Sequence, residues 1–552
     1  MSRRTRLHLV AFLSGAAGLG YEIVWTRMLA LGLGHELPAV LAVLTAFFLG
    51  LAAGGWLSER RALAAAPPAP VYAALEGIIG GWALATIALV PAVNRAVGTW
   101  IGPSPSAFHH WAVAFLVPFA LLLPATCAMG ATLPAMARLV AWTGEGERIA
   151  PGLYAANTGG AVVGTLAATF ALVPHLGYGA TLAVLALLNL ACAGLTPLAA
   201  RGARPDPARA RPRAAPPAPP VRALSFLLFA TGLLGLGYEV LVVRLLSQVQ
   251  ENTVYSFASA LVVYLLGTAA GAALYHRLAG RLRRDPLPAL LTSVASACVA
   301  SALAMTRALE LQAVLARTFG PGMTAAVAAE LALAAVAFLF PTMAMGATFS
   351  HLAEVARARR LGLGGGLGLN TVGGALAPLL FGVWLVPTFG LEVALLVCAL
   401  GYLALAPLAS RRLHLHALLP AAAAGLFAAT GPLQLVSLQP GEELVEHVEG
   451  VMAAVSVVRD ADGDVHLKVN NHFQMGGTSS VFSDLRQGHL PLLLHPDPRS
   501  ALYLGLGTAV TFSAAADHPG LTAQGVELVP EVVSMVRHFR RATGDLSAAP
   551  GL

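Results

Sequence analysis

Charge is scarce in this chain. Of 552 residues only 11% are Asp, Glu, Lys or Arg, while 57% are hydrophobic and the mean hydropathy is +0.72. That balance excludes an ordinary soluble globular protein, in which about a quarter of residues are charged. Cysteine is scarcer still: Cys127, Cys192, Cys298 and Cys398 each fall inside an apolar run, and none stands in a C-x-x-C spacing. Neither a zinc site nor a disulfide framework is indicated, no metal is expected, and the four read as small buried hydrophobes. Acid is the minority charge, which leaves a net +7. Nucleic acid is nevertheless not the inferred partner, because the arginines sit mostly in short links between apolar runs, where the positive-inside rule places them. A cleavable signal peptide is excluded as well. Ser2-Arg3-Arg4-Thr5-Arg6 precedes an apolar run that continues too far, and a copy of that run occurs inside the chain at 223–247.

What the chain does contain is a succession of apolar runs of about twenty residues, the length that crosses a hydrocarbon core. They predict spans at 7–31, 38–58, 71–94, 109–137, 152–174 and 178–199, then a second set at 223–247, 253–275, 287–308, 322–349, 364–386 and 390–408. Between the sets, residues 201–222 form a Pro/Ala/Arg linker that cannot bury a core and reads as an extended tether. The two sets echo one another. Gly18-Leu19-Gly20-Tyr21-Glu22 with Arg27 returns 217 residues later as Gly235-Leu236-Gly237-Tyr238-Glu239 with Arg244. Pro124 and Met129-Gly130-Ala131-Thr132 return as Pro341 and Met345-Gly346-Ala347-Thr348. Asn157-Thr158, Gly159-Gly160 and Val173-Pro174 return as Asn370-Thr371, Gly373-Gly374 and Val386-Pro387. The expected fold class is a polytopic α-helical membrane protein of two six-helix repeats, residues 1–200 and 223–410, related by a pseudo-twofold along the membrane normal. Gly50, Ala53, Gly54 and Gly55, with Gly267 and Gly271, permit close helix contact.

Arginine placement predicts a cytoplasmic N-terminus. Arg60-Arg61, Arg138, Arg148, the linker, Arg281 to Arg284 and Arg357 to Arg360 fall on one side, against Arg95 and Arg317 on the other. Residues 411–439 connect the second set to the rest, and their apolar stretch 413–435 holds His414 and His416. If that stretch spans, the count is thirteen and the C-terminal region lies outside. If it lies along the interface, the count stays at twelve and the region lies inside.

Ionisable groups within apolar segments are costly and mark function by default. Glu22 and Arg27 are five apart, about 140° around a helix, so pairing within one helix is poor. Two arrangements stay open: a cross-repeat exchange of Glu22 with Arg244 and Glu239 with Arg27, or arginines that snorkel to the interface. Glu76 and Glu330 also lie in apolar runs, without repeat counterparts. They mark either a proton or polyamine route or interfacial side chains.

From about 440 the composition becomes that of a soluble domain, 440–552. Val451 to Val458 and Val465 to Val469 flank Asp460-Ala461-Asp462-Gly463-Asp464, a hairpin signal. A helix at 481–494, a strand Ala501 to Leu504, a helix near 508–517, a strand Gln524 to Leu528 and a helix 530–541 follow, the opening of a Rossmann-like doubly wound sheet. Gly505-Leu506-Gly507-Thr508 falls between strand and helix, where backbone amides approach a ligand, and Glu527 ends the next strand, where a carboxylate accepts ribose hydroxyls.

Val469-Asn470-Asn471-His472-Phe473-Gln474, His489-Leu490-Pro491-Leu492, His495-Pro496, Gly505-Leu506-Gly507 and Val526-Glu527-Leu528-Val529-Pro530-Glu531 together resemble a spermidine synthase domain. Tyr21-Glu22-Ile23-Val24-Trp25-Thr26-Arg27 resembles the first helix of bacterial proteins that fuse a major-facilitator-like membrane half to such a domain. The resemblance implies a bacterial inner-membrane protein and aminopropyl transfer from decarboxylated S-adenosylmethionine, or a related adenosyl donor, to a diamine. It implies that Gly505, Leu506, Gly507, Thr508, Glu527 and Leu528 hold the donor's nucleoside, with Gln474 beside donor and amine and His489 in support. The alternative for His489 is a buried helix histidine bonded to backbone.

The chain departs from that pattern. Thr508-Ala509 replaces half of the family's fuller glycine turn, and Ser483-Asp484 stands where a Tyr-His pair is expected. The later strands, with their acids, do not occur before Leu552, and no residue from 440 onward supplies the base that a neutral attacking amine requires. The expectation is a shortened chain or one inactive by itself. The rival readings are a transporter or exporter, for polyamines, with a ligand-sensing C-terminal piece, and a membrane scaffold with a vestigial domain.

Overall fold

Proline and glycine decide where the long helices break. The computed structural model describes every residue except 1–2, 34–35, 61–64, 103–104, 143–145, 201–219, 251–252, 282–284, 360, 410–417, 430–432, 434, 472 and 547–552. Most of the linker, Arg61, Arg360, His414, His416 and His472 thus lie outside the described residues. Before the linker run α1 (Arg3–Leu33), α2 (Glu36–Ser58), α3 (Pro68–Ile101), α4 (Ala107–Trp142), α5 (Gly146–Ala167) and α6 (Val173–Ala200). After it run α7 (Val221–Val249), α8 (Val254–Leu278), α9 (Leu287–Met305), α10 (Ala308–Phe319), α11 (Met323–Ala358), α12 (Gly362–Ala377) and α13 (Val386–Ala409).

Ten helical elements among the described residues are long and apolar enough to cross a membrane, not the twelve or thirteen expected. The difference lies in two very long elements, Gly152–Ala200 and Gly362–Leu408. Each contains one glycine with non-helical torsions, Gly177 (φ 74°, ψ 175°) and Gly390 (φ 83°, ψ 165°). Each is therefore two helical segments that meet at a glycine, since only glycine adopts this left-handed geometry without strain. Just ahead of Pro174 and Pro387 the helix widens into π turns, Ala168–Leu172 and Pro378–Leu385. A proline offers no amide and crowds the preceding turn, and the wider turn accommodates it. The amphipathic α10, with its Arg307–Glu310 ion pair, has no counterpart in the expected spans.

Small residues set the packing. Helix α1 lies on α5, α2 on α4 and α3 on α6, while α7 lies on α12, α8 on α11 and α9 on α13. A Cβ on Gly54 would stand 1.8 Å from the Cys127 carbonyl oxygen, and one on Gly271 would stand 1.8 Å from that of Met343. Gly160 meets the Phe12 carbonyl and Gly373 the Phe229 carbonyl in the same way, each at 1.9 Å. These backbones touch, so no larger residue fits without parting the helices. Across the two sets α2 runs along α12, where Glu59 Oε1 accepts the Gly364 amide at 2.8 Å.

The segment after α13 carries α14 (Leu418–Ala429), which packs on α9 and α13. Beyond it the Leu433 amide donates to the carboxylate of Glu392, near the start of α13. The chain leaves α13 at Ala409 and by Leu433 is back beside its beginning, roughly 25 Å away along the helix. The described part of the connector, α14 with Leu433, thus lies alongside α13 and reaches back toward its start.

Four antiparallel strands follow in the order β1 (Glu443–Glu449), β2 (Ala454–Arg459), β3 (Val465–Val469) and β4 (Phe473–Gly477). Helix α15 (Val481–Leu494) leads to β5 (Ser500–Leu504), which pairs in parallel with β6 (Thr522–Val526) across the short helix α16 (Val510–Ser513). Helix α17 (Pro530–Met535) places Val532 and Met535 against Ala453, Val455, Val457 and Leu467 of the antiparallel sheet. Among the described residues the parallel sheet has two strands, joined in one β-α-β unit.

Candidate functional site

Two acids lie deep between the helix sets. Glu22 and Glu239 are 5% and 6% exposed and close enough for each charge to act on the other. Among the described residues neither carboxylate has a hydrogen-bond or ion-pair partner. One turn further along α1 and α7 opens a small cleft of about 40 Å³, walled by Ile23, Thr26 and Arg27 on α1 and by Val243 and Ser247 on α7. Thr253 and Phe257 of α8 close its side. The last turns of α1 and α7 share this cleft, so the two helices run parallel and the cleft marks one end of the bundle. Glu22 sits near the midpoint of α1, one helical turn or about 6 Å below.

Of the two arrangements left open by the sequence, Arg244 adopts neither. Arg244 is 4% exposed and does not snorkel: its Nη2 donates to Glu449 Oε2 at 2.9 Å and to the Gly450 carbonyl at 2.9 Å. Gln248 Nε2, one turn on, donates to Glu449 Oε1 at 2.8 Å. Five residues separate Glu239 from Arg244, so the guanidinium points away from the acid on its own helix and toward strand β1. Burial alone would raise the Glu449 carboxyl, but the hydrogen bond from His447, the Arg244 charge and the Gln248 amide hold it down to about 2. Arg27 lines the cleft.

Glu76 and Glu330 are both buried in the protein. Glu76, fully buried on α3, accepts the Ser14 hydroxyl at 2.7 Å and the Asn189 amide at 2.6 Å, and Asn189 Oδ1 in turn accepts the Tyr21 hydroxyl at 2.7 Å. Glu330 Oε1 accepts from Ser256 at 2.9 Å, and its carbonyl accepts from Gln250 at 3.1 Å. Ser14, Asn189 and Glu449 carry no sequence signal of their own, being ordinary polar residues far along the chain from their partners.

In the C-terminal region the structure brings Glu527 onto the glycine turn. Its Oε2 accepts the Leu506 and Gly507 amides at 2.9 and 3.2 Å, and its Oε1 accepts that of Val529 at 3.0 Å. Burial would raise this carboxyl, yet the backbone amides outweigh it and hold it below its ordinary value. Gly505 (φ 89°), Gly507 (φ 55°) and Ala509 (φ 65°) give the turn its left-handed course. Thr508 is buried and Leu528 is exposed. Gln474, on the strand beside the turn, donates Nε2 to His466 Nδ1 at 3.0 Å, so His466 Nε2 carries the proton that faces Asp460 at 2.8 Å. His489 meets neither backbone nor the turn: its Nδ1 lies 3.0 Å from His518 Nε2 and its Nε2 lies 3.6 Å from Asp517.

No family model and no curated protein matches the chain. Among solved structures, the crystal structure of an auto-inhibited POT family peptide transporter overlays on 78% of this chain and 97% of its own, with 13% identity and a TM-score of 0.42. That similarity is too weak to carry an argument about fold or function.

Proposed function

We propose that this protein is a membrane carrier for a small organic cation, built from two six-helix repeats around Glu22 and Glu239. The carrying observation is that pair: two buried carboxylates at matched positions, without a cation, beneath a cleft between the helix sets. The matched glycine contacts and the matched helix pairings support the repeat reading, with α10 as an insertion. Two acids sharing a low-dielectric site repel one another, and a cation bound between them relieves both. A diamine or polyamine carries two or more ammonium groups at a spacing that suits such a pair. The Glu59 contact joins the sets at the end opposite the cleft, which suits a carrier closed at one face and open at the other.

The test is uptake of labelled putrescine and spermidine into proteoliposomes. Glu22→Gln and Glu239→Gln should each lower uptake by at least about tenfold, the effect of losing one charge partner in a buried site. Uptake by the wild type no faster than by empty vesicles would end this reading.

A second reading concerns the C-terminal region, where the Glu527 contacts with the glycine turn favour a nucleoside ligand. Decarboxylated S-adenosylmethionine, or a related adenosyl donor, would lie along Gly505, Leu506, Gly507 and Thr508, with Leu528 and Gln474 beside it. This region sits at the end of α7, whereas the arginine-bearing helix ends (Arg3, Arg138, Arg222, Arg277, Arg357) lie at the other face. The positive-inside rule makes that other face cytoplasmic. An external position weighs against a reaction that consumes a cytosolic donor, and it favours a ligand-sensing domain on a carrier. Titration calorimetry of the wild type and Glu527→Ala with 5′-methylthioadenosine tests the pocket. Equal heats from the two proteins would remove Glu527 from it.

A further inference from the structure

The polar contacts between the C-terminal strands and the long helices converge on the last turns of α7. Arg244 Nε and Nη2 reach Glu449 Oε2 at 3.2 and 2.9 Å, Arg244 Nη2 also holds the Gly450 carbonyl, and Gln248 saturates the other carboxylate oxygen at 2.8 Å. Asn471 Nδ2 returns a bond to the Gln248 carbonyl at 3.3 Å. Val451, at the tip of the β1–β2 turn, packs against the hydrophobic core of the second helix set. The ion pair is nearly dry, with side chains 5% and 9% exposed. A buried charge of this kind is strongly destabilising once its partner is removed, so the contact is a joint and not a passing touch.

Its position gives it a consequence. Val243 and Ser247, on either side of Arg244, form one wall of the cleft, and Ile23 and Arg27 on α1 form the opposite wall. We propose that the Arg244–Glu449 joint fixes the C-terminal domain to α7, so that domain and cleft wall move together and the domain governs access to the cleft. Arg27, the matched residue of α1, lies in the cleft itself, so the two arginines serve different ends. The joint stands on its own contacts, and only its use in transport rests on the carrier reading.

The experiment uses the full chain in nanodiscs, with Ser247→Cys as a reporter in the cleft and Cys127→Ala to remove the one native thiol that is not buried. The rate of Ser247→Cys modification by a charged maleimide is measured beside limited proteolysis between residues 433 and 443. Glu449→Gln should change the labelling rate by at least about fivefold, the lower range of a true coupling, and should speed cleavage of the connector. The exchange Arg244→Glu with Glu449→Arg should restore both and guards against simple misfolding. Faster cleavage with an unchanged labelling rate would mean that the domain is tethered but uncoupled, and no change in either would mean that the ion pair is not a joint; each outcome overturns the proposal. Neither readout needs transport, so failure here is distinct from failure of the carrier reading.

Discussion

Asn189 Nδ2 lies 2.6 Å from Glu76 Oε2, and Tyr21 donates to the same asparagine from the other side at 2.7 Å. The Glu76 carboxylate is thus solvated by two neutral donors, Ser14 of α1 and Asn189 of α6, and among the described residues no ion pair reaches it. Glu22, on the same helix as Tyr21, has no such company. One acid is held by hydrogen bonds, and the other, among the described residues, is not.

The Glu76 network should be worth stability. Glu76→Leu strands the Ser14 hydroxyl and the Asn189 amide in a dry core, at a cost of about 2–4 kcal/mol. Glu76→Gln keeps the shape but turns one acceptor into a donor, and about 1–2 kcal/mol should be lost. Thermal unfolding in detergent gives the ranking. A Leu variant as stable as the wild type would show that the acid is kept for function.

The glycine seams make a sharper contrast. Gly54→Ala and Gly271→Ala each place a methyl group 1.8 Å from a carbonyl oxygen, and overpacking of that kind should cost about 1–3 kcal/mol. Gly77→Ala, on α3, meets nothing within 4 Å. It should be neutral or stabilising by up to about 1 kcal/mol, because alanine is the better helix former. Equal costs at the two seam positions would also support their matched roles, and a tolerated Gly54→Ala would mean that α2 and α4 are free to separate.

Much of this was legible in the sequence because it is local or repeated. Apolar run length located the long helices, and Asn157 and Asn370, paired by motif, both donate to a carbonyl of a first helix, Ala11 and Leu228, at 3.1 and 2.9 Å. Gly177 falls in the gap between two expected spans and Gly390 opens the span 390–408, where a residue that tolerates positive φ is needed. The partner of Arg244 was not legible, since Glu449 stands 205 residues away on a strand and only tertiary docking brings them together. Nor was the turn of Glu527 back onto the Leu506 and Gly507 amides, because strand-end acids and glycine turns constrain the backbone but not the side-chain direction. Helix α10 was hidden by its low hydrophobicity, which resembles that of a loop.

Acid should loosen the Arg244–Glu449 joint, and the sign follows from the carboxyl. Its value falls from an ordinary 4.5 to about 2 in the folded protein. Its contribution is therefore complete above 4.5, declines as pH falls through that window, and is gone below about 2. The difference is on the order of 3 kcal/mol. The gap in unfolding free energy between the wild type and Glu449→Gln should be flat above pH 4.5 and shrink toward zero near pH 2. A gap that instead grew on acidification would show that another group holds the joint.

The return of the chain from Ala409 to Leu433, beside Glu392, makes a testable topology. Asp462, exposed at the tip between β2 and β3, belongs to the face where α1 and α7 end, whereas Arg277, exposed at the end of α8, belongs to the face where α1 begins. In intact cells expressing single-cysteine variants, a membrane-impermeant maleimide should label Asp462→Cys at once and Arg277→Cys only after permeabilisation. That pattern would put the C-terminal strands outside the cell membrane, in line with the orientation proposed from the arginine placement. The reversed pattern would put them in the cytosol, beside the adenosyl donors, and would move the nucleoside reading ahead of the sensing one. Labelling of both variants in intact cells would mean that 413–435 does not cross, and the contact of Leu433 with Glu392 would then need another explanation.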